Sequence, residues 1–176
     1  MQLVSDIWMP TEEGQYPVIM IRTPYGRSNP QMNYTGMGEY FARQGYVFMV
    51  QDVRGKGDSP GDFGFLFQEG QDGYDSIEWA ANQSWSNGRV GMMGFDYMGT
   101  DQWLAAREKP PHLVCIAPTA ATGRYMEEVP PLGEFSIWDG LSPGHWSTTA
   151  EFLIPILKTL TGLPYSIIGH FQRQMS

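Results

Sequence analysis

One cysteine in 176 residues, Cys115, excludes an internal disulfide and a cysteine-rich zinc site. It lies in the apolar run Leu113-Val114-Cys115-Ile116-Ala117, where a buried, inert thiol is expected. Histidine is scarce too, with three copies, and no His, Cys, Asp or Glu group has usable metal-ligand spacing. Neither a metal nor another cofactor is expected. Basic residues number eleven against nineteen acidic ones, for a formal charge of −8. That balance argues against nucleic-acid binding and offers no polybasic signal for a membrane surface. No run reaches the ~20 apolar residues of a membrane span. The opening Met1-Gln2-Leu3-Val4-Ser5-Asp6 lacks the basic start and apolar centre of a signal peptide. A cytoplasmic protein is therefore expected.

What is present suits a globular α/β domain. Hydrophobic residues make up 41% and charged residues 17%, enough for one real core. Leu3 to Met9 reads as a short strand closed by Pro10. Pro17 to Arg22 is a near-continuous apolar run, as expected of a strand covered on both faces. Met37, Tyr40 and Phe41 fall at helical spacing, with Gly45 placed to stop the helix, and Tyr46 to Gln51 is a third strand. Gln71 to Gln83 reads as a helix with Tyr74, Ile77, Trp79, Ala80 and Ala81 on or near one face. Asn87-Gly88 turns into a strand over Val90 to Met93. A helix carrying Met98, Trp103 and Ala106 follows, stopped by Pro110-Pro111, and Leu113 to Ala117 is a fifth strand. Strands alternating with helices predict a mostly parallel sheet of about five strands, covered on both faces. Residues 1–121 form this core. Residues 122–176, rich in Pro, Gly and aromatics at first, read as a cap or lid.

Two stretches stand out. Asp52 to Asp62 is dense in glycine and charge but has no G-K-S/T. It reads as a structural loop in which Arg54 pairs with Asp52 or Asp58. Gly94-Phe95-Asp96-Tyr97-Met98-Gly99 has the form G-x-D-x-x-G between a buried strand and a helix. A residue at such a turn is pushed out above the sheet edge, beside backbone N–H groups able to hold an oxyanion. Hydrolases most often place serine there. This chain has Asp96.

Three segments resemble the cocaine-esterase and X-Pro dipeptidyl-peptidase family of α/β-hydrolases. They are Arg22-Thr23-Pro24-Tyr25-Gly26-Arg27, the Gln51-Asp52-Val53-Arg54-Gly55 stretch through Ser59 and Gly61, and Trp85 to Gly99. The last is similar to a W-x-D/N-G-x-V-G-x-x-G-x-S-Y-x-G run around the family's nucleophile. The resemblance implies a partial α/β-hydrolase fold and an ester or X-Pro peptide substrate. It assigns Asp96 to the nucleophile position, Tyr25 to the oxyanion hydroxyl and the Tyr97 backbone N–H to the second oxyanion donor. It also implies that the family's catalytic acid and histidine lie on later strands than this chain reaches, so these residues alone are expected to be inactive or feebly active.

Other residues are weighed beside that implication. Tyr125, Phe135, Trp138 and Trp146 could line an apolar acyl pocket or simply pack a cap. Glu127-Glu128 reads as a solvated pair. Asp101 reads as an exposed acid in the first turn of its helix, favoured by the macrodipole. His112 is expected at the amino end of the sheet, and His145 and His170 in the cap. Two other functions stay open. Asp96 could attack an alkyl carbon, as in dehalogenases and epoxide hydrolases. Alternatively the chain is a non-catalytic module whose open sheet edges take a second copy or a partner chain.

Overall fold

The computed structural model describes residues 2–123. The elements are β1 (Ser5–Trp8), β2 (Tyr16–Thr23), α1 (Tyr34–Arg43), β3 (Val47–Asp52), α2 (Glu69–Ala81), β4 (Ser86–Phe95), α3 (Tyr97–Arg107) and β5 (Leu113–Thr119), with a short 3-10 turn at Pro30–Met32. The strand order is β1-β3-β2-β4-β5. β1 runs antiparallel to β3, and the remaining pairs are parallel. Asn87-Gly88 lies inside β4 rather than ahead of it. Gly88 has φ 80°, and the β2–β4 register shifts beside it, so the turn-like pair makes an irregularity within a longer strand.

Alternation along the central strands builds two cores. Ile19, Ile21, Phe48 and Val50 face α1 with Tyr34 and Phe41. Val18, Met20, Val47 and Met49 face the other side with Ile77, Ala80 and Ala105 of α2 and α3. This is why β2 and β3 read as unbroken apolar runs: each side of the sheet is roofed by helix, and each such side chain contributes about 1.5–3 kcal/mol on burial.

Trp79, expected on or near the apolar face of its helix, is exposed instead. Trp79 packs edge-on against Trp85, and Trp103 also lies open. The face of α2 turned to the sheet carries Glu69, Asp72, Gly73 and Ser76 beside Ile77 and the alanines, so small and polar residues take the space a tryptophan would need.

Gly38 of α1 sits against the Trp8 ring so closely that a Cβ would overlap it. Gly38→Ala is expected to cost about 1–3 kcal/mol through this overpacking, read as a lower urea midpoint at unchanged slope. An unchanged midpoint would mean that Trp8 moves aside freely.

Candidate active site

Parallel pairing brings the carboxyl ends of β2 and β4 together, with Val18 opposite Val90 and Met20 opposite Met92. Tyr25 follows the end of β2, and Asp96 follows the end of β4. The chain reverses between β4 and α3. Gly94 has φ 154°, and a Cβ there would come within 2.6 Å of Met98 Cβ. Asp96 has φ 54° and ψ −120°, unusual for a residue with a side chain. Its N–H donates to Thr119 O at 3.0 Å, and its carbonyl accepts from Gly99 N at 3.0 Å and Thr100 N at 2.9 Å. The backbone at position 96 is thus held from both sides.

The half-buried Asp96 side chain makes no cap bond to α3. The Tyr25 phenol donates to its Oδ2 at 2.5 Å, the short range typical of an O–H bond to a carboxylate. Tyr25 is placed by its own N–H donating to Thr23 Oγ1 at 3.1 Å and by Asn29 Nδ2 donating to its carbonyl at 3.4 Å. Tyr34 OH lies 3.2 Å from the same Thr23 Oγ1, and burial pushes its phenol up to about 12. The N–H of Tyr97 opens α3, where the first amides have no intrahelical acceptor. The Tyr97 ring turns inward, and its hydroxyl donates to Glu69 Oε1 at 3.0 Å while accepting from Leu66 N at 3.2 Å. Burial, and then the charge of Glu69, push that phenol well above the ordinary tyrosine range.

Beneath the turn lies a charge cluster that the sequence reading missed. Arg22, fully buried on β2, donates from Nε to Gln51 Oε1 at 3.0 Å and from Nη1 to the Glu69 carbonyl at 3.1 Å. The same Nη1 lies 2.6 Å from Glu69 Oε2. Asp101 is 0% exposed, not the surface acid expected. α3 begins at Tyr97, so Asp101 falls in its second turn and faces inward, and neither carboxylate oxygen has a hydrogen-bond partner of ordinary geometry. Burial raises its carboxyl well above the usual range. Arg22 opposes that shift and Glu69 adds to it. The signal was available in Arg22 itself: a cation inside a strand buried on both faces requires buried acids nearby.

The arginine pairing also differs from expectation. Arg54 forms a forked pair with Asp72 on α2, its Nε lying 2.9 Å from Oδ2. Asp52 and Asp58 belong to Arg27, whose backbone N–H donates to Asp52 Oδ1 at 2.7 Å and whose Nη2 meets Asp58 at 2.5 Å. The Asp52 carboxylate also accepts from Asp58 N at 3.1 Å, leaving Arg54 to turn outward toward the helix. Cys115 is half-buried, and burial pushes its thiol up to about 11, in keeping with an inert role. His112 precedes β5 and pairs with Glu78 at 2.7 Å, at the opposite end of the sheet from Asp96. Among the described residues no group of His, Cys, Asp and Glu could hold a metal ion, and no helix is long and apolar enough to cross a membrane. A groove of about 590 Å³, lined by Ser5, Arg54, Asp72 and Trp79 among others, contains none of Tyr25, Asp96 or Tyr97. Tyr125, Glu127, Glu128, Phe135, Trp138, His145, Trp146 and His170 lie outside the described residues.

A mostly parallel sheet roofed by helices, with a strained strand-to-helix corner at its carboxyl edge, defines an α/β-hydrolase. Within that class the chain belongs to the X-Pro dipeptidyl-peptidase (S15) family, whose model matches residues 1–152. It is 34% identical over 123 residues to cocaine esterase of Rhodococcus sp. (strain MB1 Bresler), covering 69% of this chain and 21% of that protein. A CocE/NonD family hydrolase from Staphylococcus aureus superposes with a TM-score of 0.57 at 31% identity, covering 65% of this chain and 24% of the other. An α-amino acid ester hydrolase gives 0.56 at 29% identity, over 66% of this chain and 23% of the other. The chain therefore spans between a fifth and a quarter of the length of these relatives.

Proposed function

We propose that these residues carry the oxyanion side of an ester or amide acyl-hydrolase site, held without turnover because Asp96 occupies the nucleophile position and no histidine among the described residues reaches it. The observation that carries this reading is the 2.5 Å bond from the Tyr25 phenol to Asp96 Oδ2. In acyl transfer a nucleophile at position 96 would attack the acyl carbon. The resulting oxyanion would be received by the Tyr25 hydroxyl and the Tyr97 N–H. Here the phenol proton already serves a carboxylate. A second negative charge about 4 Å away would meet a repulsion of about 4 kcal/mol near a protein surface. Carboxylate attack at an acyl carbon would also yield an anhydride, higher in energy than the ester it consumed. The one histidine among the described residues, His112, is at the far end of the sheet and cannot activate water there.

The 176-residue chain is expected to show no hydrolysis of p-nitrophenyl acetate or Ala-Pro-p-nitroanilide above buffer. Asp96→Ser in the same chain is expected to restore none. Turnover by the parent chain that disappears in Asp96→Ala would overturn the reading.

A second reading follows from the same corner. Asp96 is half-exposed on a strained turn, as an aspartate attacking an alkyl carbon would need to be. Incubation with 1-bromobutane followed by peptide mass analysis tests it, and an unmodified Asp96 with no bromide release ends it.

A further inference from the structure

The groove of about 590 Å³ opens between α2 and β1, the strand at one edge of the sheet. Its volume falls within the range of about 300–1,000 Å³ usual for small-molecule sites. α2 supplies one wall through Asp72, Asp75, Ser76 and Trp79. The last three stand three, four and seven residues past the first, so the four make one stripe along the helix. The facing wall holds Leu3, Ser5 and Ile7, alternate residues that share one side of an extended chain.

The polar floor is satisfied from within. Ser76 Oγ lies 2.8 Å from Gln51 Oε1, and Gln51 Nε2 donates to Ser5 Oγ at 3.3 Å. The charged lining is not balanced. It consists of Arg54, Asp72 and Asp75, one base against two acids. Arg54 commits Nε and Nη2 to the buried Asp72. Asp75 lies exposed and accepts from Gln71 Nε2, a neutral donor, at 3.0 Å. Its charge is therefore the one left for a ligand, and an anion would be repelled.

Trp79 follows Asp75 by one helical turn, a spacing at which Cβ atoms stand about 5–6 Å apart. Its ring is 47% exposed and is steadied by Trp85, with ring centres 6.2 Å apart. A cation seated between the two meets a carboxylate on one side and the electron-rich indole on the other.

We infer that this groove binds an organic ammonium ion with a short apolar arm, its charge between Asp75 and Trp79 and its arm along Leu3 and Ile7. The inference depends on nothing at the Tyr25–Asp96 corner, none of whose residues line the groove.

Butyltrimethylammonium, titrated calorimetrically into the 176-residue chain, tests it. The solution holds about 0.15 M NaCl, which screens the diffuse pull of a chain of charge −8 on any cation. Saturable binding is expected, with Trp79→Ala and Asp75→Asn each weakening it by about three- to tenfold. Trp103→Ala, at an exposed tryptophan on α3 outside the groove, is expected to leave it unchanged. Choline is expected to displace the probe, and its uncharged isostere 3,3-dimethylbutan-1-ol is expected not to. Circular dichroism checks that each variant keeps its fold, and both groove positions are exposed enough that substitution spares the core. No saturable binding by the parent chain, parental affinity in either groove variant, or displacement by the uncharged isostere as readily as by choline would each overturn the inference.

Discussion

Asp101→Asn is expected to make the chain more stable at neutral pH than its parent, by about 1–3 kcal/mol. The parent must fold with a carboxyl at position 101 that is shut off from water and has no hydrogen-bond partner of ordinary geometry. It can bury that group charged, or it can first protonate it, and each costs free energy at pH 7. Arg22 offsets part of the cost, but Arg22 is already engaged with Glu69. Asparagine keeps the shape and removes the charge. The sign with pH follows from the raised carboxyl. The folded state binds the proton more tightly than the unfolded chain does. Asp101 therefore does no harm below the ordinary carboxyl value of 3.8, and stability is lost progressively as pH rises from there through the folded value. The gap between variant and parent should widen from about pH 4 upward. Urea melts of both proteins at several pH values measure it. A gap that stayed constant with pH would show that Asp101 does not titrate differently in the fold.

Arg22→Met is expected to have the opposite and larger effect, a loss of about 3–5 kcal/mol. Methionine fills much of the arginine's volume, so packing is roughly kept and the charge is what disappears. Glu69 would then be a buried anion beside another acid, with only the Tyr97 hydroxyl left to bond it among the contacts described. Gln51 would lose the donor to its Oε1, although Ser76 Oγ would still reach it at 2.8 Å. Against a typical total of about 5–15 kcal/mol, a loss of this size removes a large share of the stability. Far-UV circular dichroism during urea unfolding reads it directly. A variant as stable as its parent would overturn this account of the cluster.

The two substitutions mark where sequence reading stopped. The juxtaposition of Tyr25 and Asp96 was legible only through the family resemblance of the segments that carry them; the fold realises it because each lies just past the end of one of two neighbouring parallel strands. The five strands were legible locally, in alternation and in turn residues. Asp101 was not. From sequence alone a carboxylate soon after a turn looks like an ordinary helix-start acid. Its burial depends on α3 lying over Arg22, which comes from the second strand of the chain. Arg54 failed in the same way: acids near it in sequence were taken by Arg27, and the partner it found was a helix away. Trp79 failed for the converse reason, since helical period cannot tell a tryptophan at the margin of a buried face from one inside it.

The corner at Asp96 has one more implication. A glycine could sit at φ 54° with little penalty, so any other residue there pulls the backbone toward a different shape. That tension is restrained partly by Thr119, the last residue of β5, whose carbonyl grips the Asp96 amide. The aim of the carboxylate is therefore governed from a neighbouring strand, and a shift of β5 by a fraction of its own rise would swing the group before anything touching it had changed.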